Sequence, residues 1–337
     1  MNPKYEALLA KLTLSRRESA HVLGASYRRG AFDSHAVDCP FPFRHDGRYY
    51  MTFAGFDGTG YQTGIAESDD LRHWRTQRLL IGRGEAGSFR EFNFALTCIL
   101  RDNNLFSPGD LMSMDGQYIG TYHAYPRAGY EQGPAAIGFC RSRDLERWDI
   151  TPPCLHSRDG APWEQGGLYK SYLLAHEGRY YLFYNAKNLT GGPWKEQTGL
   201  ATSTDLVHWE RHPDSPVVRV GEPGAFDDLF VSDPVVLRAG DVWVMFYFGN
   251  SSDGHAREGL AFSEDLVHWE KAPGTILDVG PEGSIDSRHA HKPGVIWRDG
   301  VLYHFYCAVA PEPTGKIGEV ATHERRGIGL ALSDAAP

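Results

Sequence analysis

Apolar residues in this chain come in short runs, and the runs meet in pairs across a glycine flanked by an acidic or small residue. Five such junctions stand at His45-Asp-Gly-Arg-Tyr-Tyr, Met114-Asp-Gly-Gln-Tyr, His176-Glu-Gly-Arg-Tyr-Tyr, Ala239-Gly-Asp-Val-Trp and Arg298-Asp-Gly-Val-Leu-Tyr. Glycine accepts the positive φ that a tight turn needs, so each junction predicts a β-hairpin. Each hairpin is followed by a second recurring phrase, a glycine leading into Ser-x-Asp-Leu and a tryptophan. It runs from Gly64 to Trp74, Gly138 to Trp148, Gly199 to Trp209 and Gly259 to Trp269, with a shortened copy from Gly329 to Asp334. The phrase predicts a third strand and its exit turn, and segments such as 78–81 and 215–220 predict a fourth.

A fixed period of this kind marks an array of similar supersecondary units, and four antiparallel strands repeated around an axis make a propeller blade. The expected fold class is therefore all-β, a five-bladed β-propeller over residues 21–337, preceded by a short helical segment over residues 1–20. The fifth unit stops short of an outer strand, so the stretch from His21 to Arg29 is expected to supply it and latch the ring. A two-sheet sandwich would not account for five evenly spaced copies.

Composition narrows the function classes. The 337 residues are 41% hydrophobic and 12% aromatic, which suits a globular protein and excludes a disordered one. A formal net charge of -9 argues against bulk electrostatic binding of nucleic acid. The five cysteines are scattered and without a CxxC pair, so neither a disulfide framework nor a zinc knuckle is indicated. No apolar run approaches a membrane span, and the N-terminal stretch reads as an amphipathic helix without a signal-peptide core. A cytoplasmic protein with no nucleic-acid or membrane partner is expected, with homo-oligomer formation left open.

Aligning the units on their turn glycines sorts recurrent residues from unique ones. Asp38, Ser107, Tyr169, Ser232 and His291 fall at one position, and Cys39, Pro108, Lys170, Asp233 and Lys292 at the next. Both positions lie where inner strands would open on the channel. Five residues earlier every unit carries an acid: Asp33, Asp102, Glu164, Asp227 and Asp286. A residue that recurs in every unit suits a shared structural task such as capping a turn. Those that differ from unit to unit suit one asymmetric site on a nearly symmetric scaffold. Asp38, Asp233 and His291 are thus catalytic candidates, with Glu164 as the one glutamate at a recurrent position. Lys170, Lys292, Asp102, Arg288, Tyr169 and Trp163 are candidates for substrate contact. Phe56, Tyr61, Tyr125, Tyr130, Trp163 and Trp194 could stack on sugar rings, though many of them could be core. His289-Ala-His291 is a weak metal signal, so no metal ligands are assigned. No cofactor is expected to be required, although the channel could take a structural cation.

These motifs resemble the five-bladed propeller glycosidases, a group that includes glycoside hydrolase families 43, 32, 62, 117 and 130. The likeness covers about residues 30–334 and rests on the Asp-Pro strand entries, the DGxYY turns and the SxDLxxW closures. It implies a carbohydrate substrate and a base or nucleophile at Asp38, an auxiliary Asp102 and an acid at Glu164. A family 117-like set would be Asp38, Asp233 and His291, and a family 130-like phosphorylase would give Lys170, Lys292 and Arg288 a phosphate. The expected activity is an exo-acting, inverting glycoside hydrolase with Asp38 as general base and Glu164 or His291 as acid. On that expectation Asp38→Asn folds normally and loses turnover. A glycoside phosphorylase and a non-catalytic sugar-binding propeller are the alternatives.

Overall fold

The computed structural model describes residues 2–189 and 194–335. One helix, Pro3–Leu12, opens the chain, capped by the Asn2 side chain and started by a proline at its first position. Tyr5 of this helix stacks on Phe262 at 5.0 Å. Apart from a 3-10 turn at Ser157–Asp159, the remaining regular structure is strand, almost all of it paired antiparallel and arranged in successive units.

Unit one pairs Ala36–His45, Arg48–Phe56, Tyr61–Ser68 and Arg75–Ile81 in that order. Unit two follows with Ala95–Ile99, Gln117–Ala124, Ala136–Ser142 and the short Asp149–Ile150. Units three and four repeat the order with Gly167–His176 to Glu210–Arg211 and Phe230–Ala239 to Glu270–Lys271. Unit five pairs His289–Arg298, Val301–Pro311 and Glu324–Ser333. The inner strand of each unit lies against that of the next, and the fifth lies against the first.

The N-terminus supplies the outer edge of unit five through two strands. Leu14–Arg17 and Leu23–Gly24 both pair antiparallel with Glu324–Ser333. Only the second lies within the stretch 21–29 expected to do this. The expected outer strand at 215–220 is also displaced: Glu210–Arg211 takes that edge, and Val218 makes only an isolated bridge to Thr198.

The recurrent phrases have physical roles. In units one to four the closing serine (Ser68, Ser142, Ser203, Ser263) accepts the N–H of the leucine three residues on, and that leucine sits at positive φ. The tryptophans that follow pack on the unit before. Trp209 stacks on Phe139 at 5.0 Å, Trp269 meets Phe183 at 5.8 Å and Trp74 meets Phe305 of unit five at 5.6 Å.

Across the channel below the site, Arg101 of unit two is 2% exposed. It donates to the carbonyls of Pro42 (2.7 Å) and Val295 (3.0 Å) and to the Tyr172 hydroxyl (3.3 Å), so it ties unit two to units one, five and three. Arg101→Met would strand these acceptors in the interior. A loss of about 3 kcal/mol or more is expected, read as a lowered urea midpoint with an unchanged slope.

Candidate active site

The site begins as a backbone irregularity. The pairing register slips in all five inner strands, at Asp38/Phe41, Leu96/Cys98, Tyr169/Ser171, Ser232/Val235 and His291/Gly294. In every slip but that of unit two one non-glycine residue adopts positive φ: Cys39 (53°), Lys170 (41°), Asp233 (55°) and Lys292 (63°). A β-bulge of this kind re-aims a side chain, and strained non-glycine backbone concentrates at functional positions. Here all four residues line one cavity of about 160 Å³ at the mouth of the channel.

Tyr61, Tyr125, Tyr130, Tyr169, Phe230, Phe248 and Trp194 contribute apolar walls to this cavity, while Glu131, Glu196, Asp233, Lys170, Lys292 and Arg326 bring charge. The Oδ2 of Asp233 and the hydroxyls of Tyr61 and Tyr125 are buried without a hydrogen-bond partner among the described residues. Buried polar atoms are seldom left so, and a cavity wall with several of them offers free donors and acceptors to a ligand.

Asp38 lies under this floor rather than on it. It is fully buried. Its Oδ1 accepts from the Cys39 N–H (2.9 Å), and its Oδ2 accepts from Lys292 (2.9 Å), Tyr130 (3.0 Å) and Arg326 (3.2 Å). Burial raises its pKa, yet Lys292 and Arg326 outweigh that and hold it well below the ordinary carboxylate range. With both oxygens engaged, Asp38 is a fixed anion that anchors two cations at the cavity wall.

Asp233 is the opposite case. Burial pushes its pKa up to about 7, against the lowering pull of Lys170 and Lys292, with Glu196 and Asp38 adding to the rise. Glu196 is also raised, by burial and then by Glu131. Its Oε2, however, is held by donors from Ser232 (2.7 Å) and Asn185 (3.0 Å). Glu131 stands 3.6 Å from Lys292 and keeps some exposure to solvent. His291 is neutral: burial, then Lys292 and Arg326, hold its pKa well below the usual imidazole value. Its Nδ1 lies 3.0 Å from the Cys307 carbonyl, which can only accept, so the proton is on Nδ1 and Nε2 is an acceptor. A ring in that state has no proton to give a leaving group.

Four of the sequence candidates lie elsewhere. Glu164 accepts from Tyr184 (3.0 Å) and pairs with Arg211 (3.0 Å). The same arrangement recurs at Asp227 with Tyr247 and Lys271, and at Asp286 with Tyr306 and Arg17. Glu164 therefore ties an outer strand to the second strand of its own unit and does not line the cavity. Trp163 stacks on Tyr184 beside it. Asp102 sits in a loop with its backbone bonded to Asp110, next to His176 and Gly240 at the hairpin-turn end of the units. It arrives there because unit two carries an inserted loop after Ile99, so that Ser107 and Pro108 are not inner-strand residues. Arg288 is exposed on the outside of the cavity. No group of three or more His, Cys, Asp or Glu is placed to hold a metal ion among the described residues.

Glu131, Glu196 and Arg326 were not among the sequence candidates. Two of them were within reach of the repeat: counting three residues back from the closing glycines gives Tyr61, Ala135, Glu196, Ala256 and Arg326, and all but Ala135 line the cavity.

Residues 170–325 match the model of the glycosyl hydrolases family 32 N-terminal domain. A probable sucrose-6-phosphate hydrolase of Psychromonas ingrahamii is 28% identical over 167 residues, which is 49% of this chain and 29% of that protein. The chain thus spans less than a third of that curated relative. Two solved structures align over nearly all of both chains. One, a complex of BT0996 with RGII, is 28% identical with a TM-score of 0.82, covering 98% of this chain and 95% of that one. The other, a glycoside hydrolase, is 27% identical with a TM-score of 0.82, covering 100% and 96%. By these likenesses the protein belongs to the propeller-fold glycoside hydrolase superfamily.

Proposed function

We propose that this protein hydrolyses a glycosidic bond, with Asp233 as the general acid, on a five-bladed ring whose inner strands present the site. The observation that carries the reading is the state of Asp233: a carboxyl raised to about 7, whose Oδ2 is buried at the cavity wall with no partner among the described residues. Glycoside hydrolysis needs such a group, because the leaving oxygen must be protonated as the bond to the anomeric carbon breaks. Glu131, the carboxylate paired with Lys292, is the proposed base. It takes a proton from water as the water oxygen bonds to the anomeric carbon, while Asp233 gives its proton to the departing oxygen. Asp38 fixes Lys292 and Arg326 in the wall, and Glu196 and the Nε2 of His291 are acceptors for sugar hydroxyls.

A cavity of about 160 Å³ walled by aromatic residues supports exo-action, with one terminal sugar enclosed. Inversion is the proposed stereochemical outcome. A panel of aryl glycosides and oligosaccharides, with and without inorganic phosphate, tests the reading, with NMR identifying the first-formed anomer. Release of free sugar without phosphate is expected. Release only with phosphate, as a sugar phosphate, would make the protein a phosphorylase. Tight binding with no release from any substrate would make it a sugar-binding module.

Glu164 supplies an internal control. Glu164→Gln is expected to leave kcat/KM within about twofold while lowering Tm, because Arg211 loses a charged partner that is buried on the glutamate side. A loss of turnover comparable to that of an Asp233 variant would return the acid role to Glu164.

A further inference from the structure

Next to the catalytic cavity runs a second depression, lined by Arg127, Lys187, Asn188, Leu189 and Trp194 together with three glycine and proline residues of neighbouring loops. Trp194 belongs to both spaces and is 48% exposed, so part of its indole is open to a ligand. The ring is held in place by Phe230 at 5.6 Å and by the Lys187 ammonium over it at 4.7 Å. Lys187 itself lies over Tyr169 (5.4 Å) and Tyr125 (5.7 Å), so its position is set by the cavity wall.

The charge of this depression is one-sided. Arg127 and Lys187 are its charged residues, neither has an acidic partner, and no carboxylate lines it among the described residues. The chain as a whole carries a net charge of -9, so a lining that is cationic alone runs against the background. An exposed aromatic face beside two such cations suits a sugar ring that stacks on the indole and bears a carboxylate.

We infer that this depression is a leaving-group subsite for an acidic saccharide, a uronate unit whose ring lies on Trp194 and whose carboxylate meets Arg127 and Lys187. The inference rests on the hydrolase reading for its direction: Trp194 lines both the cavity that holds Asp233 and this depression, so a saccharide spanning the two places its next unit on the indole. It makes the natural substrate an acidic glycan and the enclosed sugar its terminal unit.

Isothermal titration of the full chain with trigalacturonate and with its fully methyl-esterified form tests this subsite without requiring turnover. The free acid is expected to bind about fivefold more tightly or better than the ester at low salt, an advantage that shrinks as salt rises. Arg127→Gln should bring the two forms to equal affinity. Equal binding of acid and ester by the unaltered protein, binding of neither, or an acid preference that survives Arg127→Gln would each overturn the subsite. If the acid preference holds but no glycoside is ever cleaved, the subsite stands as a binding site and the hydrolase reading falls.

Discussion

Asp233→Asn should lower kcat/KM on a glycoside with a poor leaving group by about 10²–10⁴-fold, the usual worth of a general acid. The variant should fold, since the Oδ2 it replaces has no hydrogen bond to lose among the described residues. The loss should depend on the leaving group. A dinitrophenolate departs without a proton, so on that substrate the variant should fall by less than about tenfold. Equal losses on both substrates would mean that Asp233 positions the sugar and that another group gives the proton.

Asp38→Asn has the second large effect, and it falls on stability before it falls on turnover. The carboxylate holds Lys292 at 2.9 Å and Arg326 at 3.2 Å in a buried setting. Removing the charge leaves two interior cations short of a partner, at a cost of about 3–5 kcal/mol. The pH dependence follows from the direction of the shift. The folded pKa of Asp38 is depressed, so its stabilising contribution is complete above the unfolded value of about 3.9 and fades as pH falls through the folded one. Acid unfolding of the unaltered protein should therefore steepen below about pH 4, and Asp38→Asn should lack that component. A variant as stable as the parent but inactive would instead support the role of general base expected from the sequence.

The two variants separate what repetition made legible from what it concealed. The turn junctions and the Ser-x-Asp-Leu closures could be read directly because each serves a local need, a turn glycine in every unit or a bonded serine in units one to four. The same logic set the recurrent acids aside as structural, and Asp227, Asp286 and Glu164 share one arrangement, each with a tyrosine and an outer-strand cation. Asymmetry at the inner-strand entries brought Lys170, Asp233, His291 and Lys292 to attention, and all four line the cavity.

Three things were out of reach for physical reasons. The bulges that turn Lys170, Asp233 and Lys292 toward the cavity are backbone states, and a positive φ at lysine or aspartate has no residue signature. Asp38 looks like any other exposed strand-entry aspartate until Arg326, far along the chain, closes over it. The inserted loop after Ile99 shifted unit two out of register, which is why Asp102 was aligned with acids it does not resemble in place. Burial then decides the chemistry. Asp38 and Asp233 are both interior aspartates near cations, and what separates their shifts is that Lys292 and Arg326 bond Asp38 directly, whereas burial outweighs the pull of Lys170 and Lys292 on Asp233.

The most direct measurement of the central claim is the pH profile of kcat/KM, taken on one poor-leaving-group glycoside for the unaltered protein and for Asp233→Asn. Asp233 must be protonated to act, so the profile of the unaltered protein should fall as pH rises past about 7, and that alkaline limb should be missing in the variant. An alkaline limb that persists unchanged in Asp233→Asn would show that the titrating acid is a different residue.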